Sequence, residues 1–87
     1  MKMNEREMVP TIVNGHEVQT YAFLESGNDE WGVVVCKDRS SENYYLVICE
    51  DDFLPLKEEI IENVEEGKKK AEQKYYGSLS DWRTPPD

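Results

Sequence analysis

The sequence predicts an α+β domain: a three- or four-stranded antiparallel β-meander with one long C-terminal amphipathic helix packed on one face. Three observations carry that expectation. Residues 31–36 and 44–49 are two apolar runs separated by a polar loop, which is the pattern of a hairpin. Asn14-Gly15 stands between β-forming stretches, and Asn-Gly accepts the positive φ of a type I′ turn. From residue 55 to residue 76 apolar residues recur at helical spacing.

Taken in order, residues 1–8 are polar and mixed in charge, the composition of a flexible end. Residues 9–13 can form a first strand, and Pro10 confines it to an edge because proline donates no ladder hydrogen bond. The second strand, residues 17–24, is rich in β-formers: Val18, Thr20, Tyr21 and Phe23. Ser26, Gly27, Asn28 and Asp29 make a turn cluster. Residues 31–36 and 44–49 supply the third and fourth strands, with residues 37–43 as their loop. Pairing across that loop sets Cys36 near Tyr44 and Trp31 near Cys49. The thiols then sit at opposite ends of the hairpin, about five residues apart at ~3.3 Å each, beyond the reach of a disulfide. Both are expected free.

Strand parity gives one face Tyr21, Phe23, Val34, Cys36, Tyr44, Leu46 and Ile48. The other carries Val18, Ala22, Leu24, Trp31, Val33, Val35, Tyr45 and Val47. Both faces are apolar, whereas a half-solvated sheet alternates apolar with polar. Each therefore needs a cover. The predicted helix supplies one, with Asp51 or Asp52 as its cap, Pro55 in its first turn and Gly77 past its end. Phe53, Leu56, Ile60, Val64, Gly67, Ala71 and Tyr75 fall on a single stripe. Gly67 either brings this helix close to the sheet or breaks it, and the unbroken phase of the stripe favours one helix. The second face is left to the termini or to another molecule.

The domain is read as residues 9–77, followed by a tail of residues 78–87. Two prolines deny the tail regular structure, and Trp82 in it wants burial, against the sheet or against a partner. Eighty-seven residues suffice for one core. There is no run long enough to span a membrane and no apolar leader at the start. Two cysteines suit reduced thiols and a cytoplasmic setting.

The net charge of −9, with a pI near 4.5, disfavours direct contact with nucleic acid or an anionic membrane and favours a basic protein surface. Acids are densest between residues 50 and 66. On a helix over 55–76, Glu58, Glu59, Glu62, Glu65 and Glu66 would form one outward negative ridge with Asp51 and Asp52 beside it. Such a ridge can imitate phosphate and occupy a basic groove. The bland alternative is helix electrostatics, with acids in the first half, Lys68, Lys69, Lys70 and Lys74 in the second, and Glu65–Lys69 and Glu66–Lys70 as i,i+4 pairs.

Metal and cofactor sites are not expected. Glu50-Asp51-Asp52 lacks the alternating ligands of a calcium loop, and His16, Cys36 and Cys49 are too few for structural zinc. Catalysis is not expected either, since one histidine and no phosphate loop leave a nucleophile little to work with. Small size, strong acidity, a meander plus one helix and no catalytic set together resemble the profile of phage-encoded inhibitors of host defence or host enzymes. The likeness is one of class and rests on no particular residue. The expectation is a non-enzymatic inhibitor that binds through Asp51, Asp52, Glu58, Glu59, Glu62, Glu65 and Glu66. The rivals are a homodimeric module pairing through the second sheet face, and a regulatory or immunity-type partner docking through Trp82.

Overall fold

A computed structural model describes residues 11–25, 30–50 and 53–85. The fold is α+β: five antiparallel strands in sequence order, followed by one short helix. The strands are β1 (Ile12–Val13), β2 (His16–Phe23), β3 (Gly32–Lys37), β4 (Tyr44–Glu50) and β5 (Leu54–Ile61), and the helix is α1 (Val64–Lys74). Two expectations change. The sheet has five strands rather than three or four, and the helix covers Val64–Lys74 rather than 55–76.

The Asn14-Gly15 turn forms as read, with φ of 54° and 82°, and it joins Val13 to His16. The β3–β4 register is offset from expectation by one residue. Asp38 donates its backbone N–H to the Asn43 carbonyl at 2.9 Å and accepts from the Ser40 backbone N–H at 3.0 Å. That tight loop sets Lys37 opposite Tyr44 and Cys36 opposite Tyr45. A one-residue slip exchanges the faces of a strand. Tyr45, Val47 and Cys49 therefore join Tyr21, Phe23, Val34 and Cys36, while Leu46 and Ile48 join Val33 and Val35. A bulge at Gln19, between Val18 and Thr20, likewise turns Val18 onto the Tyr21 side.

Both faces are indeed apolar, and each is closed differently. The first is the inside of a curl. His16 on β2 stacks on Tyr45 of β4 with ring centroids 4.3 Å apart, although β3 lies between those strands. In a flat sheet, alternate strands stand about 9.5 Å apart. Bulges at Gln19 on β2 and at Leu56 on β5 supply the extra bend. At one end of the curl the Asn14 side-chain amide donates to the Glu58 carboxylate of β5, and His16 Nε2 lies 3.5 Å from the same carboxylate. At the other end Phe53 packs edge-on against Trp31 (4.8 Å) and Tyr21 (6.2 Å). Phe53 holds a left-handed φ of 59°, which costs about 1–3 kcal/mol. Burial of the ring contributes about 1.5–3 kcal/mol, and each aromatic pair adds to that, so burial wins.

This inner cluster is buried within one chain; Val34, Cys36, Val47 and Cys49 have no exposure at all. The open apolar face on which the rival homodimer reading relied is therefore not presented among the described residues. Cys36 and Cys49 are free, and burial pushes each thiol up to about 12. They are packing groups with almost no thiolate at neutral pH.

The outer face takes the helix. Ala71 is buried against Val33, Val35, Leu46, Ile48 and Ile61, with Val64 and Tyr75 beside it. Asn63 caps α1 by accepting from the Glu66 N–H at 2.8 Å, and Glu66 reaches back to accept from the Glu62 N–H at 2.6 Å. The two contacts satisfy orphan donors at the helix start. Gly67 is where the helix meets β3: a β-carbon there would lie 3.1 Å from Val35 Cγ2 and 2.5 Å from Ile61 Cδ1.

The tail also belongs to the fold. Arg83 and Tyr21 exchange backbone hydrogen bonds, 2.9 Å in each direction. Ser80 N–H donates to the Phe23 carbonyl at 2.9 Å, and Glu25 N–H to the Ser78 carbonyl at 2.8 Å. Residues 78–83 thus cover the edge of β2 beyond the reach of β1. Trp82 is half-buried on the outer cluster, and its indole N–H donates to Glu72 Oε2 at 2.9 Å.

Gly67→Ala would ordinarily gain about 1 kcal/mol of helix propensity. Here it is expected to lower the urea midpoint, because Val35 is stiff and buried. Combining it with Ile61→Val, which removes the closest carbon, should recover part of the loss. A gain from Gly67→Ala alone would show that the helix does not sit this close.

Candidate functional site

The acidic residues singled out by sequence do not form a ridge, because the first half of the expected helix is a strand. On β5 successive side chains point to opposite sides of the sheet. Glu58 projects toward the inner side, where Asn14 and His16 hold it. Glu59 projects toward the helix, where Lys70 Nζ lies 2.6 Å from its Oε2 and is raised in pKa by that contact. Glu66 is spent on the helix cap rather than on an i,i+4 pair with Lys70. Asp51 and Asp52 lie outside the described residues.

Glu62 and Glu65 remain. They sit at the corner between β5 and α1, both exposed, and neither carboxylate has a hydrogen bond or ion pair among the described residues. Trp82, offered by the sequence as an anchor for a partner, is engaged with Glu72 and the outer cluster of its own chain.

What sequence reasoning missed is β5 itself as a surface. It is the last strand of the sheet, and among the described residues it pairs only with β4. Residues 54–60 are all exposed, including Leu54 at 54% and Ile60 at 61%. Leu56 is the bulged residue, and it lines a shallow groove with Asn14, Pro55, Lys57 and Glu58. The outer edge of β5 therefore offers backbone N–H and C=O groups flanked by aliphatic side chains. The Glu62–Glu65 corner lies at its C-terminal end.

Among the described residues, no group of three His, Cys, Asp or Glu could hold a metal ion. No described helix is long and apolar enough to cross a membrane. The inner histidine is constrained: His16 Nδ1 is buried without a hydrogen-bond partner.

No family model, curated protein or solved structure matches this chain. The surface must be read from its own chemistry.

The position of residues 78–83 gives a test of what the tail does. A chain ending at Gly77 loses the hydrogen bonds to Tyr21, Phe23 and Glu25 and the packing of Trp82. At about 1 kcal/mol per hydrogen bond, with half of a large aromatic lost besides, urea unfolding should show a loss of at least ~3 kcal/mol. A truncated chain as stable as the full one would make the tail a free arm.

Proposed function

We propose that this chain is a small acidic, non-enzymatic binding protein, and that it engages a basic, extended segment of another protein along the outer edge of β5. The observation that carries the reading is the exposed edge of that strand, unpaired among the described residues, with Leu54, Leu56 and Ile60 beside it. An added strand gains main-chain hydrogen bonds, and its side chains select by fit to the flanking surface. Glu62 and Glu65 supply the selection, since their carboxylates are uncommitted and suit Lys or Arg at one end of the segment. The net charge of −9 speeds encounter with a basic partner. Occupying such a segment would block whatever else it binds, which makes inhibition the simplest consequence.

The bland alternative is that Pro55, Lys57, Glu58 and Glu59 merely blunt the edge, as charges and proline do on many sheet edges. Blunting explains those four residues. It does not explain three exposed aliphatic side chains on the same strand.

A second reading has its own observation. Set antiparallel against a copy of itself about Glu58, β5 places Lys57 opposite Glu59 and Leu56 opposite Ile60, twice over. That pairing would give a homodimer through the strand edge. It brings two Glu58 side chains face to face and doubles the negative charge, both of which oppose it.

Fluorescence anisotropy with two labelled peptides of equal positive charge tests the first reading. One alternates Lys with Val; the other scatters the same lysines among Gly and Ser. The alternating peptide should bind more tightly, and Glu62→Lys with Glu65→Lys should weaken it about tenfold at low salt, with only a small drop in thermal midpoint because Glu65 lies in the first turn of α1. Equal binding of both peptides would reduce the interaction to bulk charge, and no binding would remove the reading. Light scattering on the free protein separates the second reading, which requires a dimer.

A further inference from the structure

A cleft of about 330 Å³ lies at the C-terminal end of α1, and none of its lining residues belongs to β5. Its walls are Tyr75, Tyr76 and Gly77 from the helix end, and Leu79, Asp81 and Trp82 from the tail, with Glu72 and Ser80 completing it. The cleft exists because two things happen together. Gly77, at a φ of 81°, turns the chain out of the helix, and residues 78–83 then run back along β2. That return path places Trp82 over the last turns of α1, where Glu72 receives its indole N–H.

The chemistry of the walls is one-sided. Three aromatic rings and two carboxylates line the cleft, and no Lys or Arg among the described residues does. A helix C-terminus carries the negative end of the peptide dipoles and favours cations. The faces of aromatic rings do the same, tryptophan most strongly. The rings of Tyr75, Tyr76 and Trp82 and the Leu79 side chain line the cleft with carbon, so a bare, strongly hydrated ion such as sodium would lose water there without replacement. A charge dressed in methyl or methylene groups would not. The rings already behave this way within the chain: Lys68 Nζ stands 6.0 Å from the Trp82 ring and Lys74 Nζ stands 5.6 Å from the Tyr75 ring. Tyr76, by contrast, is 91% exposed and has no such partner among the described residues.

We propose that this cleft binds an organic ammonium group, held between the faces of Trp82, Tyr75 and Tyr76 with the carboxylates of Glu72 and Asp81 balancing its charge. The ammonium can belong to a free small molecule or to a methylated lysine side chain, and both present the same alkylated cation. Lys68 and Lys74, whose ammonium groups already stand near the Trp82 and Tyr75 rings, would compete for two of them. Removing Lys68 therefore strengthens binding, an effect that a purely structural role for these residues would not produce.

The test is a two-dimensional NMR titration of the full chain with tetramethylammonium, read at the Trp82 indole N–H and at the backbone amides of Tyr76 and Gly77. Saturable shifts confined to these groups are expected. tert-Butanol, which has the same shape without the charge, and sodium at matched ionic strength should not reproduce them. Tyr76→Ala and Asp81→Asn, both at exposed positions, should each weaken binding about two- to fivefold, and Lys68→Gln should tighten it. A short peptide carrying trimethyllysine that binds more tightly than choline identifies a side chain as the ligand; the reverse order identifies a small molecule. Shifts that never saturate, equal shifts with tert-butanol, or affinity unchanged in both Tyr76→Ala and Asp81→Asn would overturn the proposal.

Discussion

A sheet with apolar side chains on both surfaces must keep water from both, and that requirement shapes this chain more than any other. β3 states the problem in its most compact form. Val33 and Val35 point one way, Val34 and Cys36 the other, and all four are completely buried. At about 25 cal/mol per Å² of apolar surface, leaving either side wet would forfeit much of what holds a domain of this size together. Among the described residues there is one short helix, which can lid one side only. The chain closes the other by curling the sheet, so that β2 and β4 meet across β3 and the turn before β2 reaches β5. The two bulges, the left-handed Phe53 and the Glu58 contacts follow from that solution rather than standing beside it.

Once the curl is recognised, the acids fall into separate roles. Glu58 holds the first hairpin to the last strand, Glu59 ties β5 to α1 through Lys70, and Glu66 finishes the helix cap. These are local duties and make no common surface. The uncommitted charge is confined to a corner, next to a strand edge that nothing in the described chain covers. Separating structural from free carboxylates in this way narrows a diffuse acidic character to Glu62 and Glu65. The tail makes the same point in reverse. The sequence leaves Trp82 wanting burial against the sheet or a partner, and it is held within its own chain by Glu72 ten residues earlier.

Much of the sheet was legible in the sequence. Asn14-Gly15 marked its turn, the four strands from residue 12 to residue 50 fell close to where the β-formers cluster, and the parity of β3 announced two buried faces. The helix was legible only in its second half. Leu56 and Ile60 stand in phase with Val64, Gly67 and Ala71 by coincidence, and short apolar runs fit helical and extended spacing equally well. Two signals could have separated them. Leu54, Leu56, Glu58 and Ile60 alternate with period two, and Asn63 with Glu66 three residues later is the pattern of a helix start. The register of β4 was not recoverable, because it depends on how Asp38 folds its loop. Nor was the tail's course, since backbone pairing to β2 leaves no trace in side-chain pattern.

The curl is the claim on which the rest stands, and one contact reports it directly. Aromatic nuclear Overhauser spectra of the folded protein should contain cross-peaks between the ring protons of His16 and Tyr45, whose centroids lie 4.3 Å apart across an intervening strand. Their presence alongside the β2–β3 and β3–β4 backbone contacts would establish a sheet closed on its inner face. Those backbone contacts without any His16–Tyr45 cross-peak would mean a flatter sheet, with its second apolar surface open, and would contradict the account.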